Sequence, residues 1–239
     1  MAGSETPTGG TAAAPRRRGA RWMTRVGLVL VLVGAVLLGW VAWQLWGTSW
    51  QSGRKHDQGV ERLEEAWRSG QDSVELDFGE AEAIVRIPAF GPDYAVPVLA
   101  GTSDEVLAAG FGRFDDVAAP GEVGNYALAG HRITHGEPLR RMPELVVGDE
   151  VVVETREATY TYTLVTGGDD LEVGFRDTWV VDPLPTNPAS GSEEGDGTPA
   201  VQPPQDAGGR LLTLTTCAEL FHTSQRLIAF AVLSDTEPR

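Results

Sequence analysis

The spacing of apolar and polar positions divides the chain into segments of different physical character. Residues 26–46 run for 21 positions without a charge, and Gln44 is their only strongly polar member. At 1.5 Å of rise per residue a helix of that length spans roughly 31 Å, close to the ~30 Å hydrocarbon core of a bilayer. Residues 51–70 are charged but place Val60, Leu63 and Trp67 at helical spacing ahead of Gly70, which predicts a short stalk helix. From residue 74 onward the period shortens. Runs rich in Val, Ile, Thr and Tyr at 83–88, 96–100, 126–130, 150–155, 159–165 and 178–182 are divided by turn residues such as Gly91-Pro92-Asp93, Pro120-Gly121 and Gly167-Gly168. Many short strands with little helix indicate an all-β barrel or sandwich. The main helical candidate inside it is 103–109, with Ser103 or Asp104 as N-cap.

Two more apolar, β-branched runs lie near the C-terminus, at 211–217 and 226–233, and read as neighbouring strands joined by a loop at 218–225. In the first, Thr213, Thr215 and Cys217 fall on one face and Leu212, Leu214 and Thr216 on the other, so the leucine face is expected to meet the core. The second is apolar almost throughout, which predicts burial on both faces. Ahead of this pair, residues 183–209 hold six prolines and four acidic side chains and read as a flexible acidic loop. The expected organisation is a disordered tail at 1–25, a membrane anchor at 26–46, a stalk at 47–73 and a catalytic domain at 74–239.

Charge gives this organisation a direction. Of the formal net charge of −15, residues 1–25 contribute about +4 through five arginines against Glu5, leaving about −19 for the remainder. Arginines before an apolar span keep that end cytoplasmic, while Trp40, Trp43, Trp46 and Trp50 favour the opposite interface. A cleavable signal peptide would have a shorter apolar region and a small-residue cleavage site. The expectation is therefore a single-pass anchor with residues 51–239 outside the cell. So acidic an outer portion argues against nucleic acid as a partner.

Cys217 is the only cysteine, so the outer domain has no internal disulfide. By itself a lone cysteine reads as a small buried hydrophobe. Arg226, however, opens the strand that follows Cys217, and neighbouring strands lie only about 4.8 Å apart. A thiol with a pKa near 8.5 is a few per cent ionised at neutral pH, so a nearby cation or imidazole favours the reactive thiolate. A cationic donor also stabilises the oxyanion formed at an attacked carbonyl. His131 stands at a strand end after Gly130, on the face of Ala127 and Ala129, where it can act as general acid and base. His222 and His135 are rival bases, and His56 in the stalk reads as a solvated side chain. Glu193, Glu194 and Asp196 lack the ligand spacing of a calcium loop and read as solvated acids. No cofactor and no metal are expected.

The segments Thr213-Leu-Thr-Thr-Cys217, Arg226-Leu-Ile and Ala129-Gly-His131-Arg resemble the signature segments of sortases, the membrane-anchored cysteine transpeptidases of Gram-positive bacteria. The resemblance covers roughly residues 83–233. Gly124-Asn-Tyr-Ala-Leu-Ala-Gly-His-Arg132 and the Thr-Leu-Thr-Thr-Cys form are most similar to class E. The resemblance implies a sortase-type β-barrel of about eight strands with short helices, Cys217 as nucleophile, His131 as general acid/base and Arg226 as oxyanion or substrate-positioning residue. It demotes His135 and His222. Phe114, Ala129 and Thr216 become candidate substrate contacts, and Phe114 stands where a tyrosine is associated with preference for alanine at the motif's second position.

The implied reaction cleaves a Leu-Pro/Ala-x-Thr-Gly sorting motif between Thr and Gly and passes the acyl group from Cys217 to an amine of the lipid-linked peptidoglycan precursor. The implied partners are secreted proteins with C-terminal sorting signals, that precursor and the membrane. A pilin-polymerising sortase, a Cys-His-Arg hydrolase of the same fold and a non-catalytic membrane-anchored binding module are the alternatives.

Overall fold

The computed structural model describes residues 18–42, 48–134, 136–190, 200–206, 208–217 and 224–239, with Cys217 described in its backbone. The chain forms two units, 1–44 and 45–239. In the first, α1 (Arg18–Ala42) is a single helix on which consecutive residues from Leu28 to Val33 are all exposed. Among the described residues no helix is long and apolar enough to cross a membrane. The last four positions of the expected anchor, 43–46, lie outside the described residues.

The second unit is built on a closed barrel. Strand β1 (Val74–Leu76) hangs on the edge of β2 (Gly79–Arg86). From β2 the hydrogen-bonded path runs through β3 (Val96–Ala100), β4 (Phe111–Arg113), β5 (Gly124–Ala129), β9 (Arg210–Cys217), β10 (Gln225–Pro238), β7 (Ala158–Leu164) and β6 (Glu150–Glu154). Pairing of β6 with β2, from Ile84↔Glu154 to Arg86↔Val152, closes the ring of eight strands and removes its edges. The remaining strand, β8 (Leu171–Gly174), pairs with the first part of β10. The β3–β4 and β5–β9 pairs are parallel. A class expectation of an all-β barrel with short helices therefore holds for this unit.

Alternation along each strand separates an inner from an outer layer. Leu212, Leu214, Leu227, Ala229 and Ala231 join Phe111, Tyr126, Leu128 and Tyr162 inside the barrel. On the outer side Ile228 and Phe230 pack with Leu171, Val173 and Val180. The leucine face of β9 is thus the core face, and β10 is buried on both sides.

The stalk segment folds as α2 (Thr48–Arg68). Its apolar stripe lies on its own unit, with Leu63 fully buried against Ile84, Leu99 and Val106, and with Val60 and Trp67 partly buried beside it. The candidate helix near 103 is α3 (Asp104–Leu107), capped by Ser103, whose Oγ accepts from the Val106 N–H at 3.4 Å.

Two expectations are corrected. Residues 178–182 do not form a strand: Thr178–Val181 is a 3-10 turn. Its carbonyls are taken by side chains instead of a ladder, since Asn125 Nδ2 donates to Val180 O at 3.2 Å and Asp182 O at 3.0 Å. His56 is not solvated. It is buried on α2, because the stalk helix packs down on the barrel.

Candidate active site

Three neighbouring strands bring the candidate residues together at one end of the barrel. In the β9–β10 ladder Cys217 and Arg226 are direct Cα partners, followed by Thr216↔Leu227 and Thr215↔Ile228. On the other side of β9 the parallel β5 ladder ends with Ala129↔Thr215. The backbone of Cys217 is thus paired with Arg226 on one side, and on the other side of β9 the chain leaves β5 two residues before His131.

Hydrogen bonds carry the β5–β9 pairing past the last ladder residue. The Gly130 N–H donates to Thr215 O at 3.1 Å, and the Thr216 hydroxyl donates to Gly130 O at 2.7 Å. Both polar groups of the residue before His131 are therefore bound to the two residues before Cys217. A side chain at position 130 would be crowded, since a Cβ there would stand 3.0 Å from Phe111 Cε1 and 3.1 Å from Leu139 Cδ1. Beyond it, the Leu139 N–H returns to His131 O at 3.0 Å and closes the loop that starts at the histidine. His131 is half-buried.

The stalk helix reaches the same loop. The ring of His56 lies over Gly136, where a Cβ would come within 2.5 Å of its Cε1. Burial, outweighing the nearby Asp57 and reinforced by Lys55, holds the His56 pKa down at about 4. His56 is thus a neutral packing group under ordinary conditions, and the Gly136 it covers lies five residues after His131 in the same loop. Neither the stripe pattern nor the composition of the stalk could reveal this contact, which joins α2 to a loop far along the chain.

Next to the Arg226 side chain opens a cavity of about 270 Å³, lined chiefly by Phe114, Val173, Phe175, Val180, Val181 and Ile228. Thr215 and Arg226 supply polar groups at its wall, and Arg226 Nη1 donates to the carbonyl of Gln225 at 2.9 Å. Its lining is mostly apolar, with the guanidinium at one side. Of the three candidate substrate contacts, Phe114 lines this cavity. Ala129 stands opposite Thr215 at the end of β5. Thr216 is buried and engaged with Gly130, which makes it a positioning group.

Asn125, next to Gly124, has the composition of a turn but lies within β5. It is buried in β5, accepts from the Thr213 hydroxyl at 2.8 Å and donates to the 3-10 turn that supplies Val180 and Val181 to the cavity. A polar amide inside an otherwise apolar strand requires partners when buried, and that requirement was the available signal.

The loop 183–209 has two described arms joined by side-chain amides. The Asn187 N–H donates to Gln202 Oε1 at 2.9 Å, and Gln205 Nε2 donates to Pro185 O at 3.1 Å. Glu193, Glu194 and Asp196, together with the rival bases His135 and His222, lie outside the described residues. Among the described residues no group of three or more His, Cys, Asp or Glu side chains is placed to hold a metal.

Comparison with known proteins gives one consistent result. The profile of the family described as Sortase domain matches residues 85–234. The chain is 30% identical over 227 residues to sortase SrtE1 of Streptomyces coelicolor, a match covering 90% of this chain and 58% of that protein, so the chain spans less than two thirds of that relative's length. Among solved structures, sortase E from Streptomyces avermitilis is similar at a TM-score of 0.52 and 39% identity, over 65% of this chain and 89% of that one. Sortase E1 from Streptomyces coelicolor, crystallised with a tripeptide in the active site, is similar at a TM-score of 0.52 and 31% identity, over 66% and 90% of the two chains.

Proposed function

This chain belongs to the sortase family and is most similar to its class E members, and from that premise we propose that it is a membrane-anchored cysteine transpeptidase that attaches secreted proteins to the cell wall. The observation that carries the proposal is the strand order at the barrel end: the Cys217 position lies between Arg226 on β10 and the residue run that leads from β5 into His131.

In this reading the Cys217 thiolate attacks the Thr carbonyl carbon of a Leu-Pro/Ala-x-Thr-Gly motif. The carbonyl oxygen becomes an oxyanion, and the Arg226 guanidinium stabilises it. As the C–N bond to Gly breaks, His131 protonates the departing amine and the acyl group remains on Cys217 as a thioester. An amine of the peptidoglycan precursor then loses a proton to His131 and attacks the thioester, so a new amide forms and the thiolate returns. The cavity beside Arg226 takes an apolar side chain of the motif, with Phe114 in its wall.

Membrane anchorage rests on residues 26–46, with arginines before and tryptophans after. A helix apolar on every side, as α1 is from Leu28 to Val33, has no face suited to water. The catalytic unit then lies outside the cell, where both the sorting signal and the lipid-linked amine are accessible.

The test uses the full chain in detergent micelles with Leu-Pro-x-Thr-Gly and Leu-Ala-x-Thr-Gly peptides, with and without triglycine, alongside Cys217→Ala. Mass spectrometry is expected to show a thioester adduct and an amine-extended product for the parent and neither for the variant. Absence of both with every peptide would sink the proposal, and release by water alone, with amine never incorporated, would make the protein a hydrolase.

A further inference from the structure

Arg226 can stabilise an oxyanion only if its guanidinium, at the end of a long flexible side chain, is already aimed when the carbonyl is attacked. The structure contains a support for it outside the three candidate catalytic residues. Just after β8 the chain makes a tight turn in which the Asp177 N–H donates to Gly174 O at 3.0 Å and the Asp177 carboxylate accepts from the Gly174 N–H at 2.6 Å. The second residue of that turn is Phe175, whose side chain is left 68% exposed.

The ring is placed against Arg226. The guanidinium carbon stands 4.8 Å from the ring centroid, within the range of a cation–π contact. Two backbone relations fix the ring where it is. Val173 and Arg226 are Cα partners in the β8–β10 ladder, and the Phe175 N–H donates to Ser224 O at 2.6 Å, two residues before Arg226. Phe175 and Arg226 also line the same cavity. With Nη1 bound to Gln225 O, the guanidinium is held on one side by backbone and on another by the ring.

We propose that Phe175 is a positioning residue that holds the Arg226 guanidinium toward the substrate carbonyl, an inference that rests on the transpeptidase reading. A leucine at 175 keeps apolar bulk but lacks the ring's negative face, whereas tryptophan strengthens it.

The experiment compares Phe175→Leu and Phe175→Trp with the parent chain in micelles. In the leucine variant kcat falls about two- to fivefold, the range of one solvent-exposed cation–π contact. KM stays within about twofold and the unfolding midpoint is unchanged, while tryptophan restores kcat. A readout independent of turnover is the arginine Nε–Hε NMR signal of Arg226, assigned by its loss in Arg226→Lys, which is ring-shifted in the parent and moves in Phe175→Leu. An active parent whose leucine variant keeps kcat within twofold, loses only KM, or shows no movement of that signal overturns the inference and leaves the transpeptidase reading standing. A parent inactive toward every peptide removes that reading and the inference with it.

Discussion

Cys217 and Arg226 are direct cross-strand partners in the β9–β10 ladder, so the proposed nucleophile and the proposed oxyanion donor are fixed by one register. A slip of one residue would send every side chain of β10 to the opposite face of the sheet. Burial of β10 on both faces, with Ala229 inward and Phe230 outward, prevents that slip.

Arg226→Ala is therefore expected to remove charge stabilisation without unfolding the barrel. Loss of one oxyanion donor typically lowers kcat by about 10²–10³, and Arg226→Lys should fall between, because an ammonium keeps the charge but not the planar fork. Steady-state kinetics of both variants beside a thermal melt checks this; unchanged kcat in the alanine variant removes Arg226 from the chemistry.

Thr216 ties the end of β9 to the residue before His131 through its 2.7 Å bond to Gly130 O. Thr216→Val keeps shape but leaves that carbonyl without its hydroxyl donor, at a cost of about 1–3 kcal/mol. The expected result is a lower unfolding midpoint together with a lower kcat, since His131 is the next residue. Thr216→Ser should retain most of both. A valine variant with parental stability and rate would show that the bond holds nothing in place.

Much of this arrangement was legible in the chain. The alternation Leu212, Thr213, Leu214, Thr215 identified the core face of β9, and the spacing of Val60, Leu63 and Trp67 identified α2. Local spacing carries no record of pairings between distant segments, so closure of the barrel by β2 and β6 could not be read. The three-residue β4, with glycine as its middle member, is too short for a periodic signal. Residues 178–181 have strand composition, but the Val180 carbonyl accepts from the side chains of Asn125 and Thr213, and tertiary partners decided their shape. His56 was misread for the same reason: burial came from a loop 80 positions later in the sequence.

Phe114 offers a direct test of motif choice. Its side chain lines the cavity beside Arg226 and presents no hydroxyl. Phe114→Tyr is expected to raise kcat/KM for Leu-Ala-x-Thr-Gly relative to Leu-Pro-x-Thr-Gly, because a buried hydroxyl can bond the amide N–H that alanine has and proline lacks. Competition between the two peptides, read by mass spectrometry, measures the ratio. An unchanged ratio would place selectivity elsewhere.

Gly130→Ala probes close packing at the same strand end. The added methyl would meet Phe111 and Leu139 at 3.0 and 3.1 Å, so either those rings and branches shift or the strand does. Overpacking of this kind costs typically about 1–3 kcal/mol, and the displaced strand end carries His131. The variant should be less stable and slower, whereas a stable variant of full activity would show that the barrel absorbs the methyl elsewhere.

His56 makes stability depend on pH. Its pKa is about 4 in the folded protein against 6.5 for a free imidazole, so below 6.5 the unfolded chain takes up a proton that the folded chain refuses. The stabilisation is complete above pH 6.5, declines as pH falls, and is lost by about pH 4. A difference of this size corresponds to roughly 3 kcal/mol across the window. His56→Leu deletes the titrating group while keeping an apolar contact over Gly136, and it also removes a buried Nε2 that has no hydrogen-bond partner among the described residues. Thermal melts from pH 7.5 to 4 should show a shallower fall for the variant than for the parent. Because Gly136 belongs to the loop that begins at His131, the parent should also lose its peptide-cleaving rate in acid more steeply than the variant. Parallel melting curves for the two proteins would place His56 outside this acid sensitivity and assign it to carboxylates alone.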